Sequence, residues 1–291
     1  MPFLCSFRRR VPRLPALVGF AALLGLGGCD RSTAPTGPGP VAGAANYSAV
    51  GASDALGYGG SAPCLPFTQC PDGTGYVQIV ARRLRAANAG LTFLNLGFPG
   101  AVLSREIMAI GNGLGLDIRA NFVDGELPFI DRQATLVTVF AGGNDVNTIG
   151  AALRPLAGGN RAAFAQTQIQ NFGRDFAAFI TGIAERAPNA QIVVLNLPNL
   201  ARAPYAAGYT AEERDWLRQL SVGFSAGMNA TRSTRVRVVD LMCHAPMYQA
   251  SIYSGDGFHP NDSGYALMAD LVTAAMAQAP APPSPSCAFT S

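Results

Sequence analysis

From residue 47 to residue 278 the chain alternates short apolar runs with longer stretches whose apolar residues recur every three or four positions. The short runs are YSAVGA (47–52), LTFLNLG (91–97), TLVTVFAGG (135–143), AQIVVLNLP (190–198) and VRVVDL (236–241). Each carries β-branched or aromatic residues and ends at Gly, Pro, Asn or Asp, so each is read as a strand. Between and after them, residues 75–88, 160–187, 210–230 and 261–278 are read as helices. In the 160–187 stretch Phe172, Phe176, Phe179, Ile180 and Ile183 fall on one stripe, the pattern of a helix laid on a sheet.

Strand and helix in alternation predict parallel strands covered on both faces. The expected fold class is α/β, a flavodoxin-like doubly wound sheet of about five parallel strands in the order 2-1-3-4-5. In that order the first strand is central, with the second and third strands as its neighbours. Ligands bind such sheets at the carboxyl ends of the strands. The segments to inspect are therefore GASD after the first strand, NLGFPG after the second and AGGND after the third.

GASD holds Ser53. A serine hydroxyl is a weak nucleophile at neutral pH and needs a base, a group that orients the base, and donors for the oxyanion. The chain has two histidines. His244, in DLMCHAP, follows Asp240 by four residues, and His259, in SGDGFHPNDSGY, follows Asp256 by three across a glycine. Either acid could orient its imidazole. His259 is favoured because its loop immediately precedes the last helix and so reaches the end of the sheet where GASD lies.

Taken in order, GASD around Ser53, NLGFPG around Gly97, GGND around Asn144 and DGFHP around His259 resemble the ordered blocks of the SGNH, or GDSL-like, hydrolases. Each block alone is short; their order over about two hundred residues carries the resemblance. It implies a serine hydrolase that cleaves carboxylic esters through an acyl-enzyme. Ser53 would be the nucleophile, His259 the base and then the acid, and Asp256 the group that fixes the imidazole tautomer. The oxyanion hole would comprise the N–H groups of Ser53 and Gly97 and the side-chain amide of Asn144. One departure is visible: Ala52 stands where family members usually carry Asp, and Asp54 follows the serine instead. The competing functional reading is a non-catalytic glycan- or acyl-binding envelope lipoprotein on the same fold.

Composition places this site in one domain, 47–278, since 49% hydrophobic and 13% charged residues suit a globular core rather than a disordered chain. The first thirty residues change the picture of where it works. Arg8, Arg9, Arg10 and Arg13 precede an apolar run from Ala16 to Leu26, and Leu26-Gly27-Gly28-Cys29 resembles the lipobox of bacterial lipoproteins. Residues 1–28 are therefore expected to be a signal peptide, Cys29 the lipidated first mature residue, and 29–46 a flexible Pro/Gly/Ala tether. The apolar run is shorter than the ~20 residues of a membrane span, which disfavours an uncleaved anchor. The protein is expected to be exported, lipid-anchored in a bacterial cell envelope and monomeric, with secretion as the alternative. Without its leader the chain keeps 17 basic residues, all Arg, against 18 acidic ones. That balance provides no basic surface for nucleic acid. The expected partners are a small-molecule or glycan ester and, through the anchor, the membrane; no cofactor or metal is implied.

Cys64, Cys70, Cys243 and Cys287 lie beyond the leader, and export makes disulfides the expected state. Cys64–Cys70 would close CLPFTQC, and Cys243–Cys287 would strap the Pro-rich tail, 279–291, onto the body. A zinc site competes weakly, because the spacing is not that of a zinc ribbon. Two further motifs are decoys. GFSAG (223–227) matches the nucleophile elbow of α/β-hydrolases around Ser225 but sits in a helical pattern, and GNGLG (111–115) lacks the strand and turn of a phosphate loop. Phe98, Tyr58, Tyr76, Tyr253 and Phe258 are near the candidate site in sequence and could line a pocket or simply pack.

Overall fold

A computed structural model describes residues 44–155 and 159–291. The leader, Cys29 and most of the tether lie outside the described residues. Five strands form one parallel sheet: β1 (Asn46–Gly51), β2 (Thr92–Asn95), β3 (Leu136–Phe140), β4 (Gln191–Leu195) and β5 (Val236–Val239). Their order is β2-β1-β3-β4-β5, so the flavodoxin-like α/β fold is observed. β1 begins at Asn46, one residue before the expected start. Its register is set there by pairing with Thr92 and by Thr135, whose Oγ1 accepts the Ala45 N–H at 2.9 Å.

Helices cover both faces, which is why the strands read as continuous apolar runs. On one face α1 (Tyr76–Ala87) packs against α7 (Asp262–Ala277), burying Tyr47, Tyr76 and Tyr265. On the other, α5 (Arg161–Arg186) packs against α6 (Ala211–Asn229), and the anticipated Phe172–Ile183 stripe is wholly buried. Phe172 stacks on Phe224 with ring centroids 3.9 Å apart. α5 matches the expected span, with the Asn160 side chain accepting the Ala163 N–H as its N-cap.

Three helices went unread in the sequence: α2 (Arg105–Gly113), α3 (Phe122–Gly125) and α4 (Gly143–Ala152). All are short. α2 is interrupted by two glycines and α4 opens with the GGND segment, so neither sustains a long apolar period. Packing supplies what propensity lacks: Ile107, Val146 and Ile149 are all buried against the α5 face.

Cys64–Cys70 and Cys243–Cys287 are both disulfide-bonded, which removes these four thiols from any zinc site. The tail docks onto the body. Phe289 stacks on Tyr248 with centroids 4.1 Å apart, and Ser284 N–H donates to Asp240 Oδ2 at 3.0 Å.

Candidate active site

β1 ends at Gly51, and the chain turns at once into a single 3-10 turn, Ser53–Leu56, that lifts Ser53 off the end of the strand. Ser53 is 6% exposed. As the first residue of the turn, it has an N–H with no intrahelical partner, and none of the described residues accepts it.

His259 comes from the loop before α7. Its Nε2 is 2.8 Å from Ser53 Oγ, and its Nδ1 is 2.6 Å from Asp256 Oδ2. This loop is built almost entirely from its own residues. Asp256 Oδ1 accepts from Ser254 Oγ at 2.7 Å and from the Phe258 and His259 N–H groups at 2.9 Å. Gly257 adopts φ +70°, and a Cβ there would lie 2.6 Å from Tyr205 N, so only glycine fits between acid and imidazole. Asn261 caps α7 and donates to the Ser251 and Tyr253 carbonyls, tying the loop to the helix.

Burial alone would raise the Asp256 carboxyl. Hydrogen bonds from the His259 ring, the Phe258 N–H, the Ser254 hydroxyl and the His259 N–H outweigh it and hold the group well below the usual carboxylate range. With the acid at Nδ1, the ring's other nitrogen, Nε2, is the one that faces Ser53 Oγ. Asp54, beside the serine, is half-buried; removal from water raises it, and the nearby His259 charge opposes that.

Asn144 is the second residue of α4. One N–H of its amide donates to Ala101 O at 2.9 Å, leaving the other free. Gly97 behaves differently from expectation. Its N–H is already given to Asn95 Oδ1 at 3.0 Å, while Asn95 Nδ2 donates to Ala55 O at 2.7 Å. The Gly97 N–H expected to serve an oxyanion is thus engaged inside the turn. Gly100, three residues on, has φ +74° and an N–H with no hydrogen-bond partner among the described residues. It lines the same cleft as Asn144. NLGFPG contains both glycines, and nothing local in the sequence says which N–H is spent.

Two pockets lie near Asn147 and Ala151, which line both. One, of about 440 Å³, runs from Asn144 and Gly100 past Phe98 to Leu116 and Ile118. The other, of about 560 Å³, is lined by Leu153, Arg154, Tyr209 and Trp216. Asn147 borders both, and its Oδ1 accepts the Tyr205 hydroxyl at 2.9 Å. Tyr205 in turn meets Phe258 edge-on at 5.1 Å. Of the five aromatic candidates, Phe98 lines the cleft, while Tyr58 and Phe258 flank the His259 ring at 6.2 and 5.0 Å. Tyr76 and Tyr253 are buried packing residues.

The decoys are inert. Ser225 is 2% exposed on α6, donating to Leu197 O and accepting its N–H. His244 Nε2 makes no hydrogen bond, and Asp240 serves Asn196, Cys243 and Ser284 instead. GNGLG forms the C-terminal end of α2 and its cap.

A serine just past β1 of a β2-β1-β3-β4-β5 sheet, hydrogen-bonded to a histidine that meets a local aspartate, sits on an SGNH-type α/β hydrolase fold. The GDSL-like lipase/acylhydrolase family model matches residues 49–267, and the chain belongs to that family, whose chemistry is ester hydrolysis. No curated protein matches it in sequence. Among solved structures it is similar to the lipase Lip_vut3 from a goat rumen metagenome, at 18% identity and TM-score 0.54 over 79% of this chain and 96% of that one. It is also similar to a phospholipase A1 from Streptomyces albidoflavus, at 17% identity and TM-score 0.53 over 80% and 99%. A third likeness is to an extracellular lipase of Streptomyces rimosus, at 17% identity and TM-score 0.51 over 79% and 99%. At these identities the likeness is one of fold.

Proposed function

We propose that the protein is a serine esterase in which Ser53 attacks a carboxylic ester of a lipid or a glycan. The observation that carries this reading is the continuous chain Ser53 Oγ, His259 Nε2, His259 Nδ1, Asp256 Oδ2, with links of 2.8 and 2.6 Å. The Ser53 proton passes to Nε2 as Oγ bonds to the ester carbon. The carbonyl oxygen, now negative, is met by the Ser53 N–H, the Gly100 N–H and the free amide N–H of Asn144. Collapse expels the alcohol, which takes the proton from Nε2 and leaves an acyl group on Ser53. Water repeats the sequence, giving one proton to Nε2 and its oxygen to the acyl carbon; collapse breaks the bond to Ser53 Oγ, which takes the proton back from Nε2 as the acid departs. The pocket lined by Gly100 and Asn144 would hold part of the ester.

Residues 1–28 and Cys29 support placing this enzyme in the cell envelope on a lipid anchor, and the two disulfides fit an oxidising, exported setting. A fluorophosphonate probe tests the chemistry directly. It is expected to label Ser53 in the oxidised protein and to fail with His259→Ala. Absence of labelling in the wild type would leave the non-catalytic binder as the better reading. A chain-length series of acyl esters beside acetylated polysaccharides, each with wild type and Ser53→Ala, then assigns the substrate class.

A further inference from the structure

The nucleophile corner depends on a residue from a different part of the chain. Gly51, the last residue of β1, stands two positions before Ser53. On its β2 side the parallel ladder continues normally up to a point: Leu96 N–H donates to Ala49 O at 2.9 Å and Phe98 N–H donates to Gly51 O at 3.1 Å. The next bond of that ladder would run from Gly51 N–H to the Leu96 carbonyl. It is not made. Gly51 N–H instead donates to Glu126 Oε2 at 3.0 Å.

Glu126 follows α3 and is 1% exposed. Its backbone is fastened on both sides, with its N–H on Phe122 O at 3.1 Å and its C=O accepting the Phe129 N–H at 2.9 Å. The carboxyl reaches a strand end 75 residues earlier in sequence, and its other oxygen, Oε1, has no partner. Burial pushes the group well above the usual carboxylate range, against the opposing Gly51 hydrogen bond. A buried carboxyl with one hydrogen bond is an expensive way to fill space. Ala52, between Gly51 and Ser53, offers no side-chain hydrogen bond to steady the turn.

On the reading of Ser53 as nucleophile, we propose that Glu126 is a positioning residue whose carboxyl oxygen, inserted between β1 and the Leu96–Gly100 segment, sets the spacing between the serine and the Gly100 N–H. Gly51 is the junction. Its C=O holds Phe98, which leads to Gly100, and its N–H is held by Glu126. Without the inserted oxygen the strand end can close onto Leu96 and carry Ser53 with it, and a misplacement of ~1 Å costs on the order of a hundredfold in rate.

The test compares Glu126→Gln, Glu126→Met and Glu126→Ala, each with both disulfides formed and a native circular dichroism spectrum. Glu126→Gln keeps a neutral acceptor for the Gly51 N–H and is expected to hold kcat, and the rate of Ser53 phosphonylation, within about threefold of wild type. Glu126→Met keeps the volume without the acceptor. It is expected to lower kcat and the phosphonylation rate together by about ten- to a hundredfold while KM stays within about twofold. If Glu126→Ala fails to fold, the Gln and Met pair still decides. Equal phosphonylation of wild type and Glu126→Met would overturn the positioning role and leave the esterase reading intact. A Gln variant as slow as the Met variant would overturn it as well, because acceptance at Gly51 would then not be the function served. No phosphonylation of the wild type would bring down both readings together.

Discussion

The histidine loop and the serine corner reach the same hydrogen bond by opposite routes. Residues Ser254–Asn261 are closed by bonds between neighbours: Asp256 accepts from three groups within three residues and also meets the His259 ring. The serine corner borrows nearly everything. Gly51 relies on Glu126, the Gly97 turn on Asn95, and the oxyanion donors proposed above would come from Gly100 and Asn144 on separate segments. A self-contained loop delivers its imidazole in one geometry wherever it is docked, whereas a borrowed corner is only as well aligned as the packing around it.

The largest expected effect falls on the self-contained side. Asp256→Asn should leave the loop folded but stabilise the wrong imidazole tautomer, lowering kcat by about 10⁴-fold in a steady-state ester assay. A loss of less than about tenfold would mean that the loop's geometry, not its charge, does the orienting, and the contrast would weaken.

On the borrowed side the two glycines and Asn144 separate donor from scaffold. Asn144→Ala should lower kcat by about 10²–10³-fold with little change in stability. Gly97→Ala should do the reverse. Its new Cβ would sit 2.8 Å from Ala55 Cβ and 3.1 Å from Ala52 O, so crowding costs about 1–3 kcal/mol in thermal or urea unfolding. The folded fraction should keep kcat within about threefold of wild type. A folded Gly97→Ala with an Asn144-sized loss of kcat would return Gly97 to the oxyanion hole.

The smallest effect concerns the acid beside Asn144. Asp145 is fully buried, and burial raises its carboxyl to about 7 although the Leu103 N–H donates to it at 2.8 Å. The folded state therefore keeps a proton that the unfolded chain releases above about pH 4. Its stabilising contribution is full below that pH and falls as pH rises towards 7, by at most about 1.4 kcal/mol per unit. Asp145→Asn should retain the Leu103 contact and flatten the decline, read as denaturant midpoints at pH 5 and pH 7.5. An unchanged slope would show that the borrowed corner carries no such titration.

How much of this was legible follows from the same contrast. Ser53, Asp256 and His259 could be picked out because an acid three residues before an imidazole, across a glycine, is a local pattern with a local consequence. Phe172 to Ile183 announced a helix face for the same reason. Glu126 gave no such signal, since an isolated acid after a short helix reads as surface until the tertiary structure buries it.

The sequence by itself determined the sheet order, the strand ends that meet at the site and the histidine loop. These depend on periodicity, on chain connectivity and on contacts within a few residues. Only the tertiary structure decided that Gly97 spends its N–H on Asn95 while Gly100 keeps its own free, and that Glu126 stands at the end of β1. Those outcomes turn on which buried polar groups find partners across the fold, and a hydrogen bond spanning 75 residues leaves no trace in the pattern on either side of it.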